Sequence, residues 1–243
     1  TQYIFMKNIK KIFWISAISL WILIGCEKTN QAEWVYLFDG KSLNGWRAFN
    51  GTQLPSGWGI KDGSLTFNTE LKSEANYEGG KSIIYALEKF ENFELFLEWK
   101  ISEGGNSGIF YHLNEGFGDT IAPEYQLIDD LKWSDYNNNN KLEEWQKTGA
   151  DYAMHTPDTT KKITKPAGEW NTTKIIFTSK RVEHWHNGVK LLSFVPWSKD
   201  WYERKNKGKW KNTPDYGKFK SGYIGLQDHD SPIWFRNIKI RKL

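Results

Sequence analysis

From Trp34 onward the sequence predicts an all-β protein built as an antiparallel sandwich. Three observations lead there. Apolar and polar residues alternate along most of the chain, turn residues interrupt that alternation at short spacing, and no segment sustains a helical period. Trp58–Phe67 reads as two strands about an Asp62-Gly63 turn. Asn92–Ser102 sets Phe93, Leu95, Leu97, Trp99 and Ile101 against Glu94, Phe96, Glu98 and Lys100, the pattern of a long strand with one core face. Ser107–His112 and Glu124–Ile128 read as two more strands. Thr173–Ser179 leads into Arg181–Leu192, where Asn187-Gly188 is the strongest hairpin signal, because a type I′ turn needs positive φ at both central residues. Gly222–Asn237 reads as two strands joined by a short Asp230-Ser231-Pro232 turn, and Ile233–Arg241 is the last strand. Asp135–Lys141 and Trp197–Tyr216 read as long loops, and Leu142–Lys147 has the length for one helical turn.

The stretch before Trp34 is of another kind. Met6–Lys11 is short and basic, and Ile12–Ile24 is an apolar run too short for a comfortable membrane span but suited to the apolar region of a signal peptide. Leu23-Ile24-Gly25-Cys26 follows, and it is similar to the bacterial lipobox, in which the Cys becomes the lipidated first residue. Cys26 is the chain's one cysteine. The expected organisation is therefore a lipoprotein signal over 1–26, a tether over 27–33 and one sandwich domain over 34–243. The expected location is the cell envelope, with membrane contact only through the lipid on Cys26. With no second cysteine there is no disulfide, so stability must come from the core. The formal charge of +4 owes three units to Lys7, Lys10 and Lys11, leaving 30 basic against 29 acidic residues. No basic stripe remains, which argues against nucleic acid as a partner.

The aromatic load of 14 Trp, 14 Phe and 11 Tyr fits two uses. Large rings fill β-protein cores, and their flat faces also suit the C–H patches of sugars. The polar residues are more selective. Gly104-Gly105-Asn106-Ser107-Gly108 opens a strand, where glycines permit a bulge or a close backbone approach. Asn106 and Ser107 suit a hydroxylated ligand, as they also suit a plain turn. If Tyr125 and Leu127 face the core, Glu124 and Gln126 face outward together, either as sugar-binding equipment or as solvated side chains. Gln227 and His229 share a face opposite Leu226 and would point the same way. His229 is of the type best suited to proton transfer near neutral pH, and Arg236 follows close behind. His184 and His186 flank Trp185 in an expected exposed hairpin without a third metal ligand. No Gly-x-Ser-x-Gly, P-loop or dinucleotide fingerprint occurs. Glu124-x-Gln126-x-x-Asp129 is similar to the Glu-x-Asp-x-x-Glu motif of laminarinase-like glucanases, with Gln in place of the central Asp. Five residues of regular strand cover ~16 Å and reverse the face, whereas a retaining carboxyl pair needs ~5.5 Å. The glucanase mechanism is accordingly demoted.

Five motifs then occur in order: Leu37–Trp46, Gly105–Ile109, Glu124–Asp130, Lys165–Asn171, and Gly225–His229 followed by Phe235–Ile238. Together they resemble the 3-keto-disaccharide hydrolase family over nearly all of Trp34–Leu243. The resemblance implies a concanavalin A-like jelly roll with a concave ligand face, acting on glycosides whose C3 hydroxyl has been oxidised to a ketone. A C3 ketone acidifies the C2 proton, so a base can form an enolate, the C1 aglycone can leave, and water can add back. That route needs a base, an acid and a group that polarises the carbonyl. Glu124 and His229 are expected to share the acid and base roles in either order. Asp129 is expected to orient His229 or bind sugar. Arg236, Gln126 and Asn106 would hold the carbonyl and hydroxyls, with Gln227 beside them. Tyr152 stands where the family carries Tyr and would line the site, whereas Asp151 and His155 depart from the family pattern. No cofactor is expected, and a divalent metal recruited by these side chains stays an open alternative. The rival from another class is a non-catalytic glycan-binding module of the same fold.

Overall fold

A computed structural model of the chain describes residues 32–70 and 81–243. The expected signal sequence with Cys26, and the expected tether up to Gln31, lie outside the described residues. The remainder forms two antiparallel sheets in the concanavalin A-like jelly-roll arrangement. In chain order the strands are β1 (Val35–Tyr36), β2 (Trp46–Ala48), β3 (Trp58–Lys61), β4 (Ser64–Phe67), β5 (Ile83–Tyr85), β6 (Phe93–Ile101) and β7 (Asn106–Leu113). They continue with β8 (Glu124–Ile128), β9 (Asn171–Thr178), β10 (Arg181–His186), β11 (Val189–Phe194), β12 (Tyr223–Leu226) and β13 (Ile233–Lys242), and a one-turn helix α1 (Trp133–Tyr136) follows β8 and runs into the expected loop. One sheet runs β11-β10-β9-β6-β13-β4-β3, with β1 also on β13. The other runs β2-β5-β12-β7-β8.

Alternation explains how the layers meet. Phe93, Leu95, Leu97, Trp99 and Ile101 of β6 join Ile109 and Tyr111 of β7, Tyr125 and Leu127 of β8 and Ile224 and Leu226 of β12 in one buried cluster. Burial of these side chains is the main force holding the two sheets together. The hairpin signals act as their residues demand: Asn187 and Gly188 take φ of 45° and 80°, and Asp62 and Gly63 take 50° and 71°.

Three local expectations are corrected. Trp197–Tyr216 is not a plain loop. It contains helix α2 (Lys199–Lys207) and a 3₁₀ turn (Lys209–Asn212). Ser198 caps α2 by accepting a hydrogen bond from the Trp201 amide at 3.2 Å, and Trp201 is the face that α2 buries, beside Met154 and Tyr216. One buried residue in nine is too little for a visible helical period. Second, Gly222–Asn237 is not a hairpin, because β12 and β13 belong to opposite sheets and the link between them crosses the sandwich. Third, His184 and His186 are inside. They share the face of Val182, which lies in the core, and both imidazoles are held down near 4, chiefly by burial. His184 bonds the Gly149 carbonyl and the Tyr111 hydroxyl at 3.0 and 3.1 Å.

Candidate active site

The five-stranded sheet carries a polar pocket of about 190 Å³ on its outer face. Its lining takes Asn106 and Phe110 from β7, Glu124 and Gln126 from β8, and Gln227 and His229 from just beyond β12. Tyr152, Asp119 and Thr120 from loops, and Lys209 and Trp210 from the 3₁₀ turn, complete it.

Glu124 is the central group. Strand alternation turns it away from the core, yet it is only 5% exposed. Two features enclose it. The free edge of β8 is covered by the segment Thr148–Tyr152, which exchanges backbone hydrogen bonds with Glu124 and Gln126 at 3.0–3.1 Å. On the other side stands Gly108 of β7, where a Cβ would overlap Oε1 of Glu124, so the carboxyl occupies space that only glycine leaves. Oε1 has no hydrogen-bond partner among the described residues. Burial pushes the Glu124 carboxyl up to about 8; the positive charge of Lys209 opposes the shift and the charge of Asp151 adds to it. This carboxyl is thus mainly protonated at neutral pH.

Lys209 reaches the pocket from the 3₁₀ turn after α2. Its Nζ lies 4.5 Å from the Tyr152 ring centroid and 4.9 Å from that of Trp210, so two ring faces hold the ammonium. Trp210 is itself fixed by stacking on Tyr216 at 4.2 Å and by donating from Nε1 to the Tyr152 carbonyl at 3.3 Å. The amides complete the polar set. Gln126 Nε2 donates to Asn106 Oδ1 at 3.3 Å, while Gln227 is anchored through its backbone to the Gly108 carbonyl and the Ser107 hydroxyl. Gln227 Oε1 is buried without a partner among the described residues. Buried polar atoms normally find partners, and such exceptions call for an explanation such as a ligand or water. His229 is exposed at the pocket mouth.

The structure thus brings together Glu124, Gln126, Asn106, Gln227, His229 and Tyr152. It does not bring in Arg236 or Asp129. Arg236 sits on the outer face of the other sheet, where Nε donates to Glu98 at 2.6 Å and the guanidinium covers Trp170 at 3.9 Å. Phe235 points into the core, so its neighbour must point out, and β13 is in the wrong sheet for the pocket. Asp129 neither orients His229 nor lines the pocket. Its carboxylate accepts from the amides of Gly104 (2.9 Å), Leu131 (3.2 Å) and Lys132 (3.3 Å), tying two turns together. Asp151 and His155 form a buried pair at 2.8 Å, with His155 stacked on Phe194 at 4.0 Å. No three His, Cys, Asp or Glu side chains are grouped for a metal among the described residues.

A family model for the 3-keto-alpha-glucoside-1,2-lyase-like domain matches residues 33–241. The chain belongs to that family. It is 35% identical over 237 residues to a 3-keto-disaccharide hydrolase of Bacteroides thetaiotaomicron, covering 86% of this chain and 78% of that one. It is also similar to the crystal structure of a candidate glycosyl hydrolase of Parabacteroides distasonis: TM-score 0.77, 39% identity, 86% of this chain and 94% of that chain. A second such structure from the same organism gives a TM-score of 0.63 at 28% identity, with 87% and 100% covered. This member of the lyase-like family is accordingly glycoside hydrolase-like. Reading the sequence missed Lys209, Trp210, Phe110, Asp119 and Thr120. Only the interleaving of Lys and Trp in 197–216 hinted at the first two.

Proposed function

We propose that the protein hydrolyses 3-keto-glycosides by elimination and hydration. The observation that carries this reading is the enclosed Glu124 carboxyl, with Oε1 unpartnered among the described residues and the group mainly protonated at neutral pH, beside the Lys209 ammonium in a polar pocket. Asp119 is the other acid lining that pocket, and it is exposed. The laminarinase-like mechanism would need Asp129 as the second carboxyl astride C1, and Asp129 is tied into two turns away from the pocket. Here one buried acid and a histidine suit proton transfer beside a ketone instead.

In this reading His229 takes the C2 proton. The electron pair moves onto the C3 oxygen, whose developing charge Lys209 stabilises, with Gln126 and Asn106 holding hydroxyls. As the enolate collapses, the C1–O bond breaks and Glu124 gives its proton to the departing oxygen. Water then adds at C1, Glu124 takes a proton from it, and C2 regains a proton from His229. The sum is hydrolysis.

The test is product release from a 3-keto-glucoside and from the same glucoside unoxidised. Release from the keto substrate alone is expected. Release from the plain glucoside would replace the scheme with a direct glycosidase mechanism, and tight binding with no release would make the protein a glycan-binding module. Export and lipidation at Cys26 belong to the same proposal and are supported by the leader sequence. Loss of membrane association in Cys26→Ser would bear them out, and unchanged fractionation would sink them.

A further inference from the structure

The side of the molecule away from the pocket carries a chemistry that the reaction does not use. On the eight-stranded sheet β9, β6 and β13 lie side by side, and their outward residues set Lys100, Lys174, Arg236, Lys239 and Arg241 against two acids, Glu94 and Glu98. These cations come from three distant segments of a chain whose charges nearly cancel beyond the leader. We infer that this face docks on an anionic lipid surface, which turns the pocket of the five-stranded sheet away from the bilayer. The inference stands apart from the catalytic reading and takes from the proposal above only the lipid at Cys26, which sets proximity.

The acids on this face are already engaged. Glu98 is taken by Arg236 and Asn237, and Glu94 by Arg241. On β10, Glu183 is taken by Arg181 at 3.0 Å and Lys190 at 3.4 Å. Lys100, Lys174 and Lys239 are part exposed and meet no carboxylate within ion-pair distance among the described residues; rings hold them instead. Lys100 Nζ lies 4.8 Å from the Trp234 ring centroid, Lys174 Nζ 4.0 Å from that of Trp185, and Lys239 Nζ 5.0 and 5.2 Å from those of Trp34 and Phe96. A ring face fixes an ammonium without cancelling its charge. Trp and Tyr beside Lys and Arg are the residues that settle at a membrane–water boundary, and an anionic leaflet attracts each cation. Val35 and Tyr36 add apolar surface at the edge, each more than half exposed.

The chain also enters the sandwich at this face. Trp34 lies under Lys239 and Arg241, at 5.0 and 4.8 Å, and β1 pairs with β13. Cys26 stands eight positions before Trp34, and eight Cα–Cα steps extend over at most ~29 Å. A lipid on Cys26 therefore holds Trp34 within that reach of the anchored residue, while the pocket lies on the other side of the sandwich. Unaided, a few cations give only a weak, salt-sensitive attraction, and one lipid signal gains a firm hold when a basic patch joins it. The face thus orients an anchored protein and does not retain a free one, so Cys26→Ser should still leave the membrane.

Acylation of individual lysines, read by mass spectrometry on the full chain mixed with vesicles, tests the docking. At low salt, Lys100, Lys174 and Lys239 should react about fivefold or more slowly on vesicles containing phosphatidylglycerol than on pure phosphatidylcholine. Lys211, exposed in the other lysine-rich region and next to the pocket residue Trp210, should react alike on both. Salt at about 0.5 M should remove the difference. Thr172→Glu combined with Ile176→Glu should also remove it, because the pair adds acids to the outward side of β9 and leaves every lysine in place. Equal rates on the two kinds of vesicle, or slowing at Lys211 as strong as at the other three, would overturn the docking. Slowing by inorganic phosphate or a DNA duplex as strong as by the vesicles would overturn it too, by marking a general anion surface. Failure of lipidation shows separately, as a wild-type chain that does not stay with phosphatidylcholine vesicles, and the anionic vesicles then decide the docking alone.

Discussion

Glu98 and Glu124 occupy equivalent kinds of position. Each lies on a strand, alternates with core residues and points away from the sandwich interior. Glu98 meets Arg236 at 2.6 Å and Asn237 at 2.6 Å, on a face where Lys100 also lies over Trp170 and Trp234. Glu124 meets a space vacated by Gly108 and leaves one oxygen unpartnered. The first glutamate is satisfied and partly exposed; the second is enclosed, and burial keeps it mainly protonated at neutral pH. The comparison teaches that strand parity places a carboxyl, while its neighbours decide whether it is a brace or a reagent.

Predictions follow from trying to erase that difference. Glu124→Gln should lower turnover of a 3-keto-glucoside by about 10²–10⁴-fold, the usual worth of a general acid or base, measured by steady-state kinetics. The same variant tests the electrostatics. The Glu124 carboxyl moves from its ordinary 4.5 to about 8 on folding, so the folded chain holds a proton that the unfolded chain releases. Its contribution to stability is full below about pH 4.5 and is lost as pH rises to about 8. Denaturant titrations at a series of pH values should show this decline in the wild type, and a shallower one in Glu124→Gln. Activity should likewise fall as pH rises past about 8, because the acid form is the one required.

Lys209→Met should cost about 10²–10³-fold in kcat, like the loss of one oxyanion donor, with a smaller change in KM. Gly108→Ala should cost ~10²-fold by displacing the carboxyl, with the far-ultraviolet circular dichroism unchanged. Arg236→Ala marks the small end. It should leave kcat as it is and lower stability by about 1 kcal/mol or less, because the pair is part exposed. A large loss of activity in Arg236→Ala would return that residue to the site.

Much of this was legible in the residues. Alternation put Glu124 and Gln126 on one face and Tyr125 and Leu127 on the other. The glycines of 104–108 announced a close approach, and Gly108 makes one. His184 and His186 were also readable, since they share parity with Val182, but a hairpin suggests exposure until the second sheet is known to cover it. Arg236 and Lys209 were not readable. Arg236 lies nine positions after Gln227 in sequence, and a whole sandwich separates them in space, whereas Lys209 and Glu124 lie far apart in sequence and share one pocket.

By itself the sequence determined which segments are strands, where the hairpins turn and which side chains share a face, because these depend on backbone sterics and a period of two. Only the tertiary structure decided which sheet each strand joins, which outward faces are then covered, and which carboxyl loses water without gaining a partner. Desolvation depends on what packs over a group, and that covering comes from residues distant along the chain.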